Sequence, residues 1–182
     1  GYMLLGIALA TEAGVAAALV HVFNHALMKA ALFMAVGCIV LRLGSTRLPA
    51  YYGLIRRMPW TATAFLFSGL SLVGVPLTVG FVSKFYLLTA AFEAGWWPAG
   101  LLIVASSLLA VAYVGRVAFP MLLGTPPAEG PYAGEVKEAP LSMLVPLWVM
   151  TAANIYFGIS ATFVGDVAEA AAAALIIGGG AS

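Results

Sequence analysis

Lys29 and Lys84 stand inside long apolar runs, residues 13–41 and 60–92, of a chain otherwise almost free of charge. A cation at mid-bilayer costs roughly 3 kcal/mol on insertion scales and more in simulations, so it persists only where it faces a partner, water or a pathway. His21, His25 and Lys29 follow one another at i, i+4 and i+8. At 100° per residue they lie at about 0°, 40° and 80°, one stripe rising about 12 Å along a helix. Imidazole titrates near neutrality and can donate from one ring nitrogen while accepting on the other. A desolvated lysine can exchange its proton, which a guanidinium does not do. A ladder of imidazoles ending in an amine therefore has the chemistry of a proton path, and Asn24 borders it. The competing reading is interhelical hydrogen bonding that only glues helices together. Three aligned titratable groups favour the path over the glue.

The second run carries Gly74-Val75-Pro76, then Thr78, Gly80, Ser83 and Lys84. Proline lacks a backbone donor and clashes with the preceding turn. With glycines beside it, the spacing predicts a helix unwound over residues 74–80, with Gly74, Pro76 and Gly80 marking the break. Unwound backbone at membrane depth is tolerated where its freed groups meet protein or line a cavity, and in transporters such breaks flank ion sites. Lys84 falls about one turn beyond the break, where water could reach it, with Thr78 and Ser83 as further candidates along the path. The plainer alternative is a proline kink for packing, with Lys84 snorkelling to the interface.

These residues need helices to position them, and the composition supplies the setting. Of 182 residues, 63% are hydrophobic and 8% charged, against about 25% charged in a soluble domain. So much apolar surface cannot be hidden in a water-soluble fold of this size; the expectation is an all-α, polytopic transmembrane helix bundle with one broken transmembrane helix. Hydrocarbon about 30 Å thick needs about 20 residues per span. By that measure residues 14–41, 60–92, 97–123 and 140–159 are spans, Pro146 being tolerated as a kink. Residues 1–10 look like the end of a truncated helix, and the chain reads as a fragment of something longer. Residues 161–177, with Asp166 and Glu169 near their start, fit either a further span or an interfacial helix. Arg42, Arg47, Arg56 and Arg57 crowd one connection, Arg116 and Lys137 flank another, and Glu12 and Glu93 occupy the opposite side. The positive-inside rule places the arginine end in the cytoplasm. Trp60, Trp96, Trp97 and Trp148 are expected near span ends.

Elsewhere the pattern is quieter. Ser106, Ser107 and Tyr113 read as ordinary interhelical donors, Arg116 as a boundary anchor, Cys38 as a packed thiol, and Asn154 is open. A net charge of +1 without a basic cluster gives no sign of nucleic acid as a partner. No metal-ligand spacing, Gly-rich phosphate loop or nucleophile–base arrangement stands out, so neither metal nor cofactor is expected.

The stretches Gly-Tyr-Met-Leu-Leu-Gly at 1–6, His-Val-Phe-Asn-His-Ala-Leu-Met-Lys-Ala-Ala-Leu-Phe at 21–33, Gly-Leu-Ile-Arg-Arg-Met-Pro-Trp at 53–60 and Gly-Val-Pro-Leu-Thr-Val-Gly-Phe-Val-Ser-Lys at 74–84 closely resemble the proton-conducting antiporter-like subunits. That family includes large membrane-arm subunits of respiratory complex I and the A and D subunits of Mrp-type sodium/proton antiporters. Lys-Phe-Tyr-Leu-Leu at 84–88 and Gly-Trp-Trp-Pro at 95–98 look most like the D-type branch of the Mrp proteins. The resemblance covers residues 1–125, which are expected to be the C-terminal part of the conducting domain, with 126–182 as added transmembrane or interfacial helices. It implies inverted helical repeats, each with a broken helix. Lys29 matches the family's central-axis lysine, His21 and His25 the histidines before it, and Lys84 the residue that ends the outward half-channel. The first repeat, with its glutamate–lysine pair, has no counterpart here.

The function expected is a multi-pass subunit in the cell's inner (plasma) membrane, working with other membrane subunits of a multi-subunit Mrp-type Na+/H+ antiporter. Protons, and Na+ as exchanged ion, would be its cargo, and charge on one lysine would disfavour charge on the next. The alternatives are an antiporter-like subunit of complex I or a related membrane-bound hydrogenase, and a scaffold fragment that conducts nothing.

Overall fold

The computed structural model describes residues 1–179. Its secondary structure is helical: α1 (Tyr2–Ala8), α2 (Glu12–Leu43), α3 (Leu54–Arg57), α4 (Pro59–Val73), α5 (Val79–Glu93), α6 (Trp97–Leu123), α7 (Leu141–Ile159) and α8 (Thr162–Gly179). The chain is an all-α, polytopic transmembrane bundle with one broken transmembrane helix, α4–α5. α2, α6 and α7 are each long and apolar enough to cross a membrane. α4 and α5 have 15 residues apiece, about 22 Å at 1.5 Å per residue, so neither crosses alone and the pair crosses together.

α2 is the axis of the bundle, packed by α1, α4, α5, α7 and α8. It starts where Thr11 accepts a hydrogen bond from the Gly14 amide at 3.0 Å and ends at Gly44, whose φ of +64° closes the last turn. Ala17, Ala31 and Ala35 are wholly buried along it; small side chains let neighbouring helices approach closely. At the arginine end a core of Ile39, Leu54, Met58, Phe65 and Leu147 joins α2, α3, α4 and α7. The connection from α6 to α7 is strapped over this end. Arg42 donates to the Glu138 carbonyl, and Arg57 to the carbonyls of Tyr132 and Gly134. The Glu138 carboxylate caps α4 by accepting from the Trp60 amide (2.9 Å) and the Thr61 hydroxyl (2.5 Å).

The break is shorter than its glycines and proline suggest. It covers residues 74–78, and Gly80, expected within it, is the second residue of α5. Thr78 adopts the extended conformation of an N-cap, and its carbonyl accepts from the Phe81 and Val82 amides, so the helix resumes there. Glycine is required at 80 for another reason: a Cβ would collide with the Ser71 carbonyl of α4.

The C-terminal segment is also clarified. Val164 and Ala168 of α8 pack with Val20 of α2 and Val82 of α5, while Glu169 shares a cavity of about 550 Å³ with Glu12 and Glu93. α8 therefore runs beside α2 towards the glutamate end rather than lying apart from the bundle. α7 meets the break at Gly158 and stops at Ile159. Trp148 lies seven residues into α7 rather than at its end, edge-on to Trp60 at 5.8 Å between ring centres.

Candidate functional site

α4 ends in a Schellman-type turn. The Gly74 amide donates to the Leu70 and Ser71 carbonyls, and the Val75 amide to the Leu70 carbonyl. A helix leaves its last carbonyls without intrahelical donors, and here those of Leu72 and Val73 remain. The Lys84 ammonium fills that need, donating to Leu72 O at 2.9 Å and Val73 O at 2.7 Å. The negative end of the α4 dipole favours a cation there, and hydrogen bonds from a charged donor are the strong ones. Gly74 is favoured by its φ of +95°, and a Cβ there would stand 3.0 Å from Lys84 Cδ, close enough to press on the lysine stem. Lys84 is 9% exposed and points inward. Its partners are backbone carbonyls, not the neighbouring hydroxyls. Thr78 instead donates within the break to Val75 O at 2.6 Å, and Pro76 lies between them in the unwound turn.

The stripe on α2 reaches this site. His21 Nδ1 and Ser83 Oγ share a hydrogen bond of 2.9 Å, and the Ser83 hydroxyl also lies 3.4 Å from the Gly80 carbonyl as donor. With that hydroxyl turned to Gly80, His21 donates from Nδ1 and its Nε2 is left as an acceptor. His25 follows one turn along, the ring centres 5.5 Å apart. Lys29 is half-buried, its ammonium 5.7 Å from the centre of the Phe33 ring and without a hydrogen-bond partner among the described residues. Asn24, at the stripe's edge, donates to Val79 O at 2.8 Å and ties the start of α5 to α2; its Oδ1 is buried without a partner among the described residues.

His21, His25, Lys29 and Lys84 all line one cavity of about 570 Å³, bounded also by Tyr2, Ser106 and Tyr113. Asn24, Thr78 and Ser83 do not line it, although Ser83 touches it through His21. Tyr2 was not among the expected site residues. Its ring lies edge-on to His21 at 5.1 Å and 5.8 Å below the Lys84 ammonium, and its hydroxyl pairs with Ser106 of α6. A tyrosine in a short segment at the start of the chain carries no spacing signal. Ser106 thus bridges helices as expected, whereas Ser107 turns back to its own helix at Ile103 O, 3.0 Å away. Asn154, left open by the sequence, accepts from the Ser71 hydroxyl at 2.9 Å. Two amines, two imidazoles and phenols around one cavity can hold, pass and receive protons.

Residues 1–110 match the family described as NADH:quinone oxidoreductase/Mrp antiporter, TM. The chain is 36% identical to the N subunit of NADH-quinone oxidoreductase from Desulforudis audaxviator, over 87% of this chain and 34% of that protein. It is 30% identical to the D subunit of the Na(+)/H(+) antiporter from Bacillus subtilis, over 97% of this chain and 35% of that one. It thus spans about a third of the length of the curated relatives it matches. A solved structure of the Mrp complex from Dietzia sp. DQ12-45-1b contains a chain that superposes with a TM-score of 0.85 at 27% identity, over 96% of this chain and 40% of that one. The fold, the buried lysine at the helix break and these likenesses lead to one conclusion: the chain belongs to the NADH:quinone oxidoreductase/Mrp antiporter transmembrane family.

Proposed function

We propose that this chain relays protons within the membrane through Lys29, His25, His21 and Lys84, as the conducting part of one protein of a multi-subunit Mrp-type Na+/H+ antiporter in the plasma membrane. The observation that carries the reading is the single cavity lined by all four groups, with Lys84 held at the carbonyl end of α4. A proton arriving from the arginine end would reach Lys29 and His25, pass one turn along α2 to His21, and leave through Lys84 towards the glutamate end. The two lysines would be coupled by charge. Like charges lining one cavity disfavour each other, so a proton on one lysine would bias against a proton on the other. The conducting elements would lie within residues 1–125, with α7 and α8 as their support. The Mrp assignment is favoured by the fold likeness to the Mrp complex chain. A second host, an NADH-quinone oxidoreductase in which redox chemistry drives the same relay, is favoured by the 36% identity to the N subunit of such an enzyme.

The test is transport by the assembled host complex carrying Lys29→Ala or Lys29→Arg. Both should lose ion-coupled transport while the complex still assembles, because guanidinium does not release its proton. Normal transport by a correctly assembled Lys29→Ala complex would sink the relay. Loss of assembly together with transport would favour a scaffold.

A further inference from the structure

α7, which contributes no residue to the cavity lining, packs on the broken helix at two positions one turn apart. At the first, the Ser71 hydroxyl donates to Asn154 Oδ1 at 2.9 Å, with Ser71 fully buried and Asn154 2% exposed. The amide orientation is fixed, because Asn154 Nδ2 donates to the Met150 carbonyl at 3.2 Å. The same Ser71 oxygen accepts the Gly80 amide at 3.3 Å. One hydroxyl therefore links the last turn of α4, the first turn of α5 and the side of α7. At the second position, Gly158, a Cβ would stand 2.5 Å from the Leu77 oxygen and from Thr78 Cα, so the backbone of the break rests directly on the backbone of α7. Leu77 there holds a φ of +70°, a left-handed conformation that a side chain resists and that persists only when its surroundings impose it. A buried amide in an apolar helix is costly unless partnered, and Asn154 spends its oxygen on the break.

What Asn154 grips is next to what Lys84 grips. Ser71 is followed at once by Leu72 and Val73, whose carbonyls accept the Lys84 ammonium. We infer that Asn154 and Gly158 are positioning residues: they seat the broken helix on α7 and so hold the Leu72–Val73 carbonyl pair where it binds Lys84. α7 then acts on the charged site without touching it. The consequence for transport rests on the relay proposed above, but the positioning itself does not.

The measurement is amine reactivity in the full-length protein within its assembled complex. Native membranes are treated with formaldehyde and cyanoborohydride, and dimethylation of Lys84 and Lys29 is followed by mass spectrometry. Lys29, without a hydrogen-bonded partner among the described residues, is the internal reference. Ser71→Ala and Asn154→Ala should each speed Lys84 modification at least about threefold with Lys29 unchanged, and the double variant should match the larger single one, as expected for two groups acting through one bond. Lys84 modified at the wild-type rate in assembled Ser71→Ala, or both lysines accelerated equally, would overturn the inference. Should Asn154→Ala not assemble, Ser71→Ala, which removes one hydroxyl, decides alone. Faster Lys84 modification with undiminished transport would leave the seat standing and count against the relay. Diminished transport with an unchanged Lys84 rate would do the reverse.

Discussion

Lys29 and Lys84 share a cavity but are held in opposite ways. Lys84 is 9% exposed, its ammonium clasped by two carbonyls that a helix terminus leaves over, and its stem packs on Gly74, where a Cβ would stand 3.0 Å from Lys84 Cδ. Lys29 is half-buried on a continuous helix, facing an aromatic ring and the cavity. The first site is built by the interruption of a helix; the second is provided by helical periodicity alone. A cation at a helix terminus has a dipole and spare acceptors for company, whereas one at mid-helix finds every nearby carbonyl already used. Lys84 is thus held by two acceptors, whereas Lys29 has no hydrogen-bond partner among the described residues.

The largest test of that contrast is function. Lys84→Ala and Lys29→Ala in the assembled complex should each reduce ion-coupled transport at least about a hundredfold, general acid–base groups being worth about that much or more. A variant of either lysine that transports normally would break the pairing. Stability should separate the two. Lys84→Met leaves two part-buried carbonyls unpaired and should cost about 2 kcal/mol, while Lys29→Met should stay within about 0.5 kcal/mol of the parent. Thermal midpoints of the purified complexes would reveal the ranking, and equal losses would erase the distinction. Gly74→Ala comes next: forcing an alanine to positive φ costs about 1–2 kcal/mol, and the new methyl group presses on Lys84, so the midpoint should fall and transport with it. Phe33→Leu is the smallest. Removing the ring beneath Lys29 should cost no more than about 0.5 kcal/mol, the low end for an exposed cation–π pair, visible as a slight change in midpoint with the Lys84 site untouched.

Part of this site could be read without coordinates because it is local. The shared face of His21, His25 and Lys29 follows from spacing on one helix, and the break follows from Gly74 and Pro76, whose backbone demands hold in any fold. The extent of the break was not local. Gly80 looks like a helix breaker, yet it is helical and is small because α4 presses against it. Tyr2, Ser71 and Asn154 gave no usable pattern either, since each gains its role from a partner 9 to 104 residues away. Glu138 caps α4 from a loop 77 and 78 residues away in the chain, a role that no local pattern around it announces.

The sequence by itself determined that the chain is a bundle of membrane helices, where one of them is interrupted, and which titratable groups share a face. Hydrocarbon demands long apolar helices, and periodicity and proline chemistry act over a few residues. Only the tertiary structure decided that Lys84 turns inward to Leu72 and Val73, that His21 meets Ser83, and that α7 supports the break through Asn154 and Gly158. Those outcomes depend on which orphaned backbone group lies within reach of which side chain, and that is fixed by how the helices pack, not by what stands beside each residue in the chain.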